Sequence, residues 1–197
     1  LNNTTAVYPS CWDIIDTGYV NSTGTRYNWR NTTSSSYIRT GSKAIYFAGL
    51  TTTTAIHNDW LITPELQLTG NERLVFWMRN SSTTATDGYA ARVAIYAYSV
   101  NPADTTPNYV QVAPRIVMHG TGSSTYAEHI VPLTGLTGNV KLAFVVDTNS
   151  YSFYIDDVVV EEMGAGVAVA PAPVYVPAPV AAPAPAAAPA PAAAPAP

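Results

Sequence analysis

Apolar and polar side chains alternate residue by residue along several stretches of the first 163 residues, and nowhere there do they recur at helical spacing. That pattern confines the chain to half-buried sheet. Ala91, Val93, Ile95 and Ala97 alternate with Arg92, Ala94, Tyr96 and Tyr98, and Leu74, Phe76 and Met78 with Arg73, Val75 and Trp77. Residues 140–146 read VKLAFVV and residues 153–161 read FYIDDVVVE. Shorter β-rich runs lie at 44–48, 60–63, 109–112, 115–118 and 126–131. Turn chemistry separates them at Thr69-Gly70-Asn71, Thr86-Asp87-Gly88, Asn101-Pro102, His119-Gly120-Thr121-Gly122 and Thr137-Gly138-Asn139. Residues 17–42 and 80–88 read as longer polar loops. About nine strands without a helix predict an all-β, two-sheet antiparallel sandwich over residues 1–163.

The remaining residues, 164–197, are a different material. From Ala170 they repeat with a period of six, APAPVY, VPAPVA, APAPAA, APAPAA, APAP. Polyproline II has three residues per turn, so six residues make two turns and the prolines stack along two edges. At ~3.1 Å per residue the repeat spans roughly 85 Å. It reads either as a stiff spacer or as an assembly strut. Val174, Tyr175, Val176 and Val180 make its first half more apolar than a spacer requires, and Val167 and Val169 stand just before its first proline as further assembly candidates.

Charge follows the same division. Every Asp, Glu, Lys and Arg lies at or before Glu162, and only 11% of the chain is charged, with a net charge of −4. No basic cluster exists, which excludes an electrostatic footprint for nucleic acid. No apolar run reaches the roughly 18 residues of a spanning helix, and the tail is too rich in proline to form one. A single cysteine rules out a disulfide scaffold and any paired-cysteine zinc or redox motif. Low charge with 37 Thr and Ser residues suggests a secreted or surface β protein. The first residue, Leu1, reads as a processed or truncated end.

Few residue patterns point to chemistry. There is no nucleophile elbow, no zinc-protease motif and no phosphate-cradling glycine run. His57, His119 and His129 lie in separate segments without metal-ligand spacing, and Glu128-His129 reads as ordinary sheet surface. The pair Asp156-Asp157 sits inside an apolar strand, where one of the two must face the apolar side or a loop-covered edge. A carboxylate there needs backbone N–H partners or a hard cation. Asp156, Asp157, Asp13 and Asp16 are thus the candidate Ca²⁺ ligands. Cys11 is expected to be buried as a small hydrophobe, an intermolecular disulfide being the alternative. Trp12, Trp29, Trp60, Trp77 and the 13 tyrosines make either core or a sugar-stacking face, with the aromatics of residues 17–42 the least determined. Glycosylation sequons stand at Asn2, Asn3, Asn21, Asn31 and Asn80.

Six motifs occur in a fixed order: Tyr8-Pro9-Ser10-Cys11-Trp12 with Ile15-Asp16; Asn28-Trp29; Asn58-Asp59-Trp60-Leu61-Ile62-Thr63-Pro64-Glu65-Leu66; Leu74-Val75-Phe76-Trp77; Lys141-Leu142-Ala143-Phe144; and Phe153-Tyr154-Ile155-Asp156-Asp157-Val158. Together they resemble the cleaved-adhesin or "choice-of-anchor J" domains of bacterial surface proteins, relatives of the MAM-like jelly rolls. The resemblance spans residues 5–162. It implies a jelly-roll β-sandwich, secretion, and non-catalytic adhesion or binding of carbohydrate or protein. It also implies Ca²⁺ held near the first and last strands, which points to Asp156 or Asp157. The family's acidic loop after the first tryptophan is not kept, since Thr17-Gly18-Tyr19-Val20-Asn21 stands in its place. The strand that usually precedes the first motif is short here, which leaves an incompletely paired sheet edge for strand addition, with residues 166–170 as a donor.

Two functions follow as expectations. The first is a non-catalytic, extracellular structural subunit that self-assembles into a fibril or surface layer, its uncharged tail contacting other copies of itself. The second is an adhesin module, binding glycans or cell-surface proteins, carried on a stiff Pro/Ala stalk.

Overall fold

The computed structural model describes residues 11–16, 27–49, 57–120 and 125–164. Among them are twelve strands: β1 (Asp13–Ile15), β2 (Trp29–Thr32), β3 (Ala44–Phe47), β4 (Asp59–Ile62), β5 (Leu66–Thr69), β6 (Glu72–Asn80), β7 (Ala91–Ser99), β8 (Val110–Gln111), β9 (Ile116–Met118), β10 (Ala127–Pro132), β11 (Thr137–Val146) and β12 (Phe153–Glu162). Short 3₁₀ turns lie at Ser35–Tyr37 and Asp87–Tyr89. No helix among the described residues is long and apolar enough to cross a membrane.

The strands form two antiparallel sheets. One has seven strands, in the order β1-β4-β11-β7-β8, with β5 also on β11 and β9 also on β7. The other has five, in the order β10-β6-β12-β3-β2. Alternation decides what lies between them. Leu61, Ile95, Leu142 and Phe144 from the first sheet pack against Phe47, Leu74, Phe76, Met78 and Phe153 from the second. Strict alternation is visible in β6, where buried and half-buried residues follow one another over all nine positions. A two-sided sandwich of this kind buries one face of each sheet and leaves the other to solvent or to a ligand.

All nine expected strands are present. Three more, β1, β2 and β5, were not expected. β2 lies inside the stretch read as a polar loop: its sequence, WRNT, is mostly polar because it is an edge strand that inserts only Trp29 into the core, at 1% exposure. Thr137-Gly138-Asn139 is not a turn but the start of β11, paired with β5. The chain reverses earlier, where the Leu136 N–H donates to the Leu133 carbonyl at 3.1 Å and Gly135 takes a φ of +81°.

β12 carries a bulge. Its register on β6 shifts between Asp156 and Val159, so Asp157 and Val158 together stand against one residue, Phe76. Asp157 has a φ of +49°, rare for a residue with a Cβ. β3 pairs only with the first part of β12, at Phe153, Tyr154 and Ile155. The predicted donor segment, residues 166–170, and the expected short first strand lie outside the described residues.

Candidate functional site

The bulge settles where the acidic pair points. Asp156 turns to the Arg39–Thr40 backbone and Asp157, at the bulge, to the Arg39 and Thr40 side chains, which is the loop-covered placement that the sequence allowed. Asp156 is 9% exposed. Its Oδ2 accepts from the N–H groups of Arg39 (2.8 Å) and Thr40 (3.3 Å), and its Oδ1 from the N–H of Asp157 (2.9 Å). The two oxygens of Asp157 accept from the Arg39 guanidinium and the Thr40 hydroxyl. Arg39 itself lies over the Trp77 ring, 3.7 Å from its centroid. This donor set does not fit Ca²⁺. All four carboxylate oxygens already accept hydrogen bonds, and a guanidinium sits where a cation would be held. Asp16 accepts instead from the Asn28 amide at 3.0 Å, and Asp13 from Lys141 Nζ at 3.3 Å. No group of three His, Cys, Asp or Glu side chains suited to a metal occurs among the described residues.

Other expectations are corrected in place. Cys11 is exposed rather than buried. Asn80 is 4% exposed, and its amide donates to the carbonyls of Tyr89 and Met118, both at 2.8 Å. A glycan on that nitrogen is incompatible with the folded chain. The Asn31 amide nitrogen is buried as well. Asn2, Asn3 and Asn21 lie outside the described residues, as do the tail positions Val167, Val169, Val174, Tyr175, Val176 and Val180. The histidines remain apart, with His57 fully buried, His119 exposed and His129 stacked on Phe76 at 5.4 Å.

The four tryptophans divide. Trp29 is core, and Trp12 stacks on Phe144 at 6.2 Å. Trp77 and Trp60 are half-buried on the outer faces of opposite sheets. Around Trp60 the outer face of the seven-stranded sheet assembles a row of rings. Register places Trp60 of β4 opposite Val145, and Tyr96 and Tyr98 of β7 opposite Ala143 and Lys141. The small side chains of Ala143 and Val145 on β11 leave a shallow floor between β4 and β7. Tyr109, on the segment entering β8, leans over that floor. Its ring lies 5.2 Å from Trp60 and 5.4 Å from Tyr98, and Tyr96 lies 5.3 Å from Trp60. Burial pushes the Tyr109 phenol above its ordinary value, helped by the negative charge of Asp13 and by Tyr98. Tyr96 and Tyr109 stay half-buried, whereas Tyr98 is buried at 8% exposure. Sequence reasoning read Trp60 and the tyrosines as either core or a sugar-stacking face, without singling out these three. The sign was there for two of them: Tyr96 and Tyr98 fall in the opposite phase of β7 from Ile95 and Ala97.

The five-stranded sheet has an aromatic cluster too, but it is closed on itself. Tyr154 stacks between Tyr37 (4.6 Å) and Tyr46 (4.8 Å), and the Tyr126 hydroxyl donates to the Tyr37 carbonyl at 2.7 Å. Burial pushes the phenols of Tyr126 and Tyr154 well above the usual range. Arg79 covers the stack and donates to the Ser36 carbonyl.

No protein-family model matches the chain, and no curated protein does. Solved structures do match. The K1 and K3 cleaved adhesin domains of Lys-gingipain from Porphyromonas gingivalis W83 superpose with TM-scores of 0.52 and 0.50, at 20% and 21% identity. They cover 80% and 78% of this chain, and 94% and 92% of the adhesin domains. This is a cleaved-adhesin-like jelly roll. The same fold is shared by a family 11 carbohydrate-binding module from Clostridium thermocellum, solved with a β-1,3-1,4-mixed-linked tetrasaccharide (TM-score 0.50, 10% identity, 80% of this chain and 91% of the module). The six ordered sequence motifs supply β1, β2, β4, β6, β11 and β12 of the cleaved-adhesin-like domain, so the expected jelly-roll architecture holds.

Proposed function

We propose that the cleaved-adhesin-like domain is a non-catalytic, extracellular carbohydrate-binding module whose ligand lies on the outer face of the seven-stranded sheet. The observation that carries this reading is the row of Trp60, Tyr96, Tyr98 and Tyr109 at ring spacings of 5.2 to 5.4 Å above the Ala143 and Val145 floor. Sugar rings present apolar C–H faces that pack on aromatic faces, while Tyr and Trp keep a polar handle for hydroxyl groups. Three of its four rings, Trp60, Tyr96 and Tyr98, stand on strands, and a rigid platform lowers the ordering cost of binding. The fold supports the reading in a second way, since the Clostridium thermocellum module with the same architecture holds a tetrasaccharide. The first expectation, a self-assembling subunit, rests on tail residues that lie outside the described residues, whereas the fold and the aromatic row support the second, a binding module.

The test is affinity electrophoresis of the full chain through gels containing mixed-linkage β-glucan, galactan or xylan. Retardation by at least one polymer is expected, and Trp60→Ala should abolish it while the circular dichroism spectrum stays that of the folded protein. Free migration through every gel overturns the proposal.

A further inference from the structure

Three of the four rings of the aromatic platform donate their polar hydrogen to an acceptor within the protein. The Tyr96 hydroxyl donates to Asp147 Oδ2 (3.4 Å), and the Tyr98 hydroxyl donates to Asp104 Oδ2 (3.1 Å). The indole N–H of Trp60 donates to Asn58 Oδ1 (2.8 Å). Three polar hydrogens are thereby committed within the protein, which leaves the two phenols with oxygen lone pairs.

The charges tied to the platform residues show the same bias. Each cation is held by a carboxylate: Arg115 Nη2 by Asp147 Oδ1 at 2.5 Å, and Lys141 Nζ by Asp13 Oδ2 at 3.3 Å. Asp104 adds a third carboxylate, which accepts from the Tyr98 hydroxyl and from the Asn101 amide at 3.3 Å. Three carboxylates therefore face two cations, and neither cation is free of a carboxylate. A ligand bearing its own carboxylates or sulfates would meet acceptors and like charge. A ligand rich in hydroxyl donors meets what it needs.

We infer that this site takes uncharged glycan chains and discriminates against uronate- and sulfate-bearing ones. The inference rests on the carbohydrate-binding reading above and adds the ligand's charge class to it. Asp104 and Asp147 are the residues that set the discrimination, because each ties a phenol proton to the rim and contributes negative charge to it.

The experiment compares the full chain on gels containing mixed-linkage β-glucan or galactan with gels containing polygalacturonate or alginate, at low salt so that the charge term is unscreened. Binding to a neutral polymer, with at least about tenfold weaker binding to both polyuronates, is the expected result. Asp104→Asn combined with Asp147→Asn frees Arg115 and should raise polyuronate binding by about tenfold. Asp104 lies on an exposed loop, and Asp147 follows the last residue of β11, so the pair is tolerated by the fold. Polyuronate binding as tight as neutral binding by the unmodified chain overturns the inference while leaving the carbohydrate reading intact. So does a double variant with unchanged preference. Binding to none of the polymers overturns both.

Discussion

His57 Nδ1 and Asp59 Oδ2 lie 3.2 Å apart inside the sandwich, with both side chains fully buried. The pair follows from strand phase: His57 and Asp59 are in register with Leu61 on the inner side of β4, while Asn58 and Trp60 face out. The His57 ring meets Phe47 edge-on at 5.1 Å, and the Asp59 carbonyl accepts from the Trp29 indole at 3.2 Å. Removing one member of a buried, hydrogen-bonded pair leaves the other without compensation. Asp59→Ala should therefore lower unfolding free energy by about 3 kcal/mol, read as a lower urea midpoint at unchanged m-value. A midpoint within error of the unmodified chain contradicts the role of this pair in the core.

Stability should depend on pH in two separate windows. Burial holds the His129 imidazole below its ordinary value of 6.5, and its Nε2 is buried without a hydrogen-bond partner. The unfolded chain then binds a proton that the folded chain resists, so stability is lost as pH falls below that value. The Glu72 carboxyl is held below its ordinary 4.5 first by the Thr69 hydroxyl (2.7 Å), then by the Thr69, Gly70 and Asn71 amides, against the opposing effect of burial. Its contribution is present above the ordinary carboxylate value and is lost as pH falls beneath it. Urea midpoints taken from about pH 8 to about pH 3 should show both declines. His129→Phe should remove the upper one alone, and Glu72→Gln should diminish the lower one alone.

Much of this fold was legible in the residue pattern, because period-two alternation needs only local information. β6 and β7 announced their inner faces, and with them the outward phase of Tyr96 and Tyr98. What could not be read is which strands lie side by side. Trp60 and Tyr96 belong to one platform only because β11 runs between β4 and β7, and nothing local specifies that neighbour. Tyr109 is harder still, since it reaches the platform by leaning from a loop. The acidic pair was legible in part: alternation called for one carboxylate at the apolar side or a loop-covered edge, and a one-residue bulge with a positive φ at Asp157, which nothing local specifies, turned the choice to the loop.

That bulge yields a prediction about metal. Asp156 holds three backbone N–H groups and Asp157 holds Arg39 and Thr40, so their oxygens serve the protein rather than a cation. Adding EDTA or millimolar-range Ca²⁺ should leave the thermal midpoint of the purified chain unchanged. Asp156→Ala should cost about 3 kcal/mol, because hydrogen bonds to a charged acceptor are the strong ones and three donors are orphaned together. A midpoint that rises with Ca²⁺ and falls with EDTA would place a cation at residues assigned here to Arg39 and the backbone.

Gly49 marks the tightest backbone approach at the end of β3. Its N–H donates to the Ser152 hydroxyl at 3.0 Å, and that hydroxyl lies 3.1 Å from the Gly49 carbonyl. A Cβ at this position would sit 2.3 Å from the Ser150 carbonyl oxygen and 2.8 Å from the Tyr151 carbonyl carbon. These are backbone atoms that cannot rotate away, and Ser150 is itself fixed by accepting the Arg92 N–H at 2.8 Å. Gly49→Ala must therefore displace residues 150–152 from the start of β12, where β3 docks. Overpacking of this kind costs about 2 kcal/mol, and hydrogen exchange should quicken at the Ser81 amide, which donates to the Ser152 carbonyl at 3.0 Å. The control is Gly41→Ala, at a glycine with open space around it and a φ of +71°, whose cost comes from backbone conformation alone and should leave exchange at Ser81 unaltered.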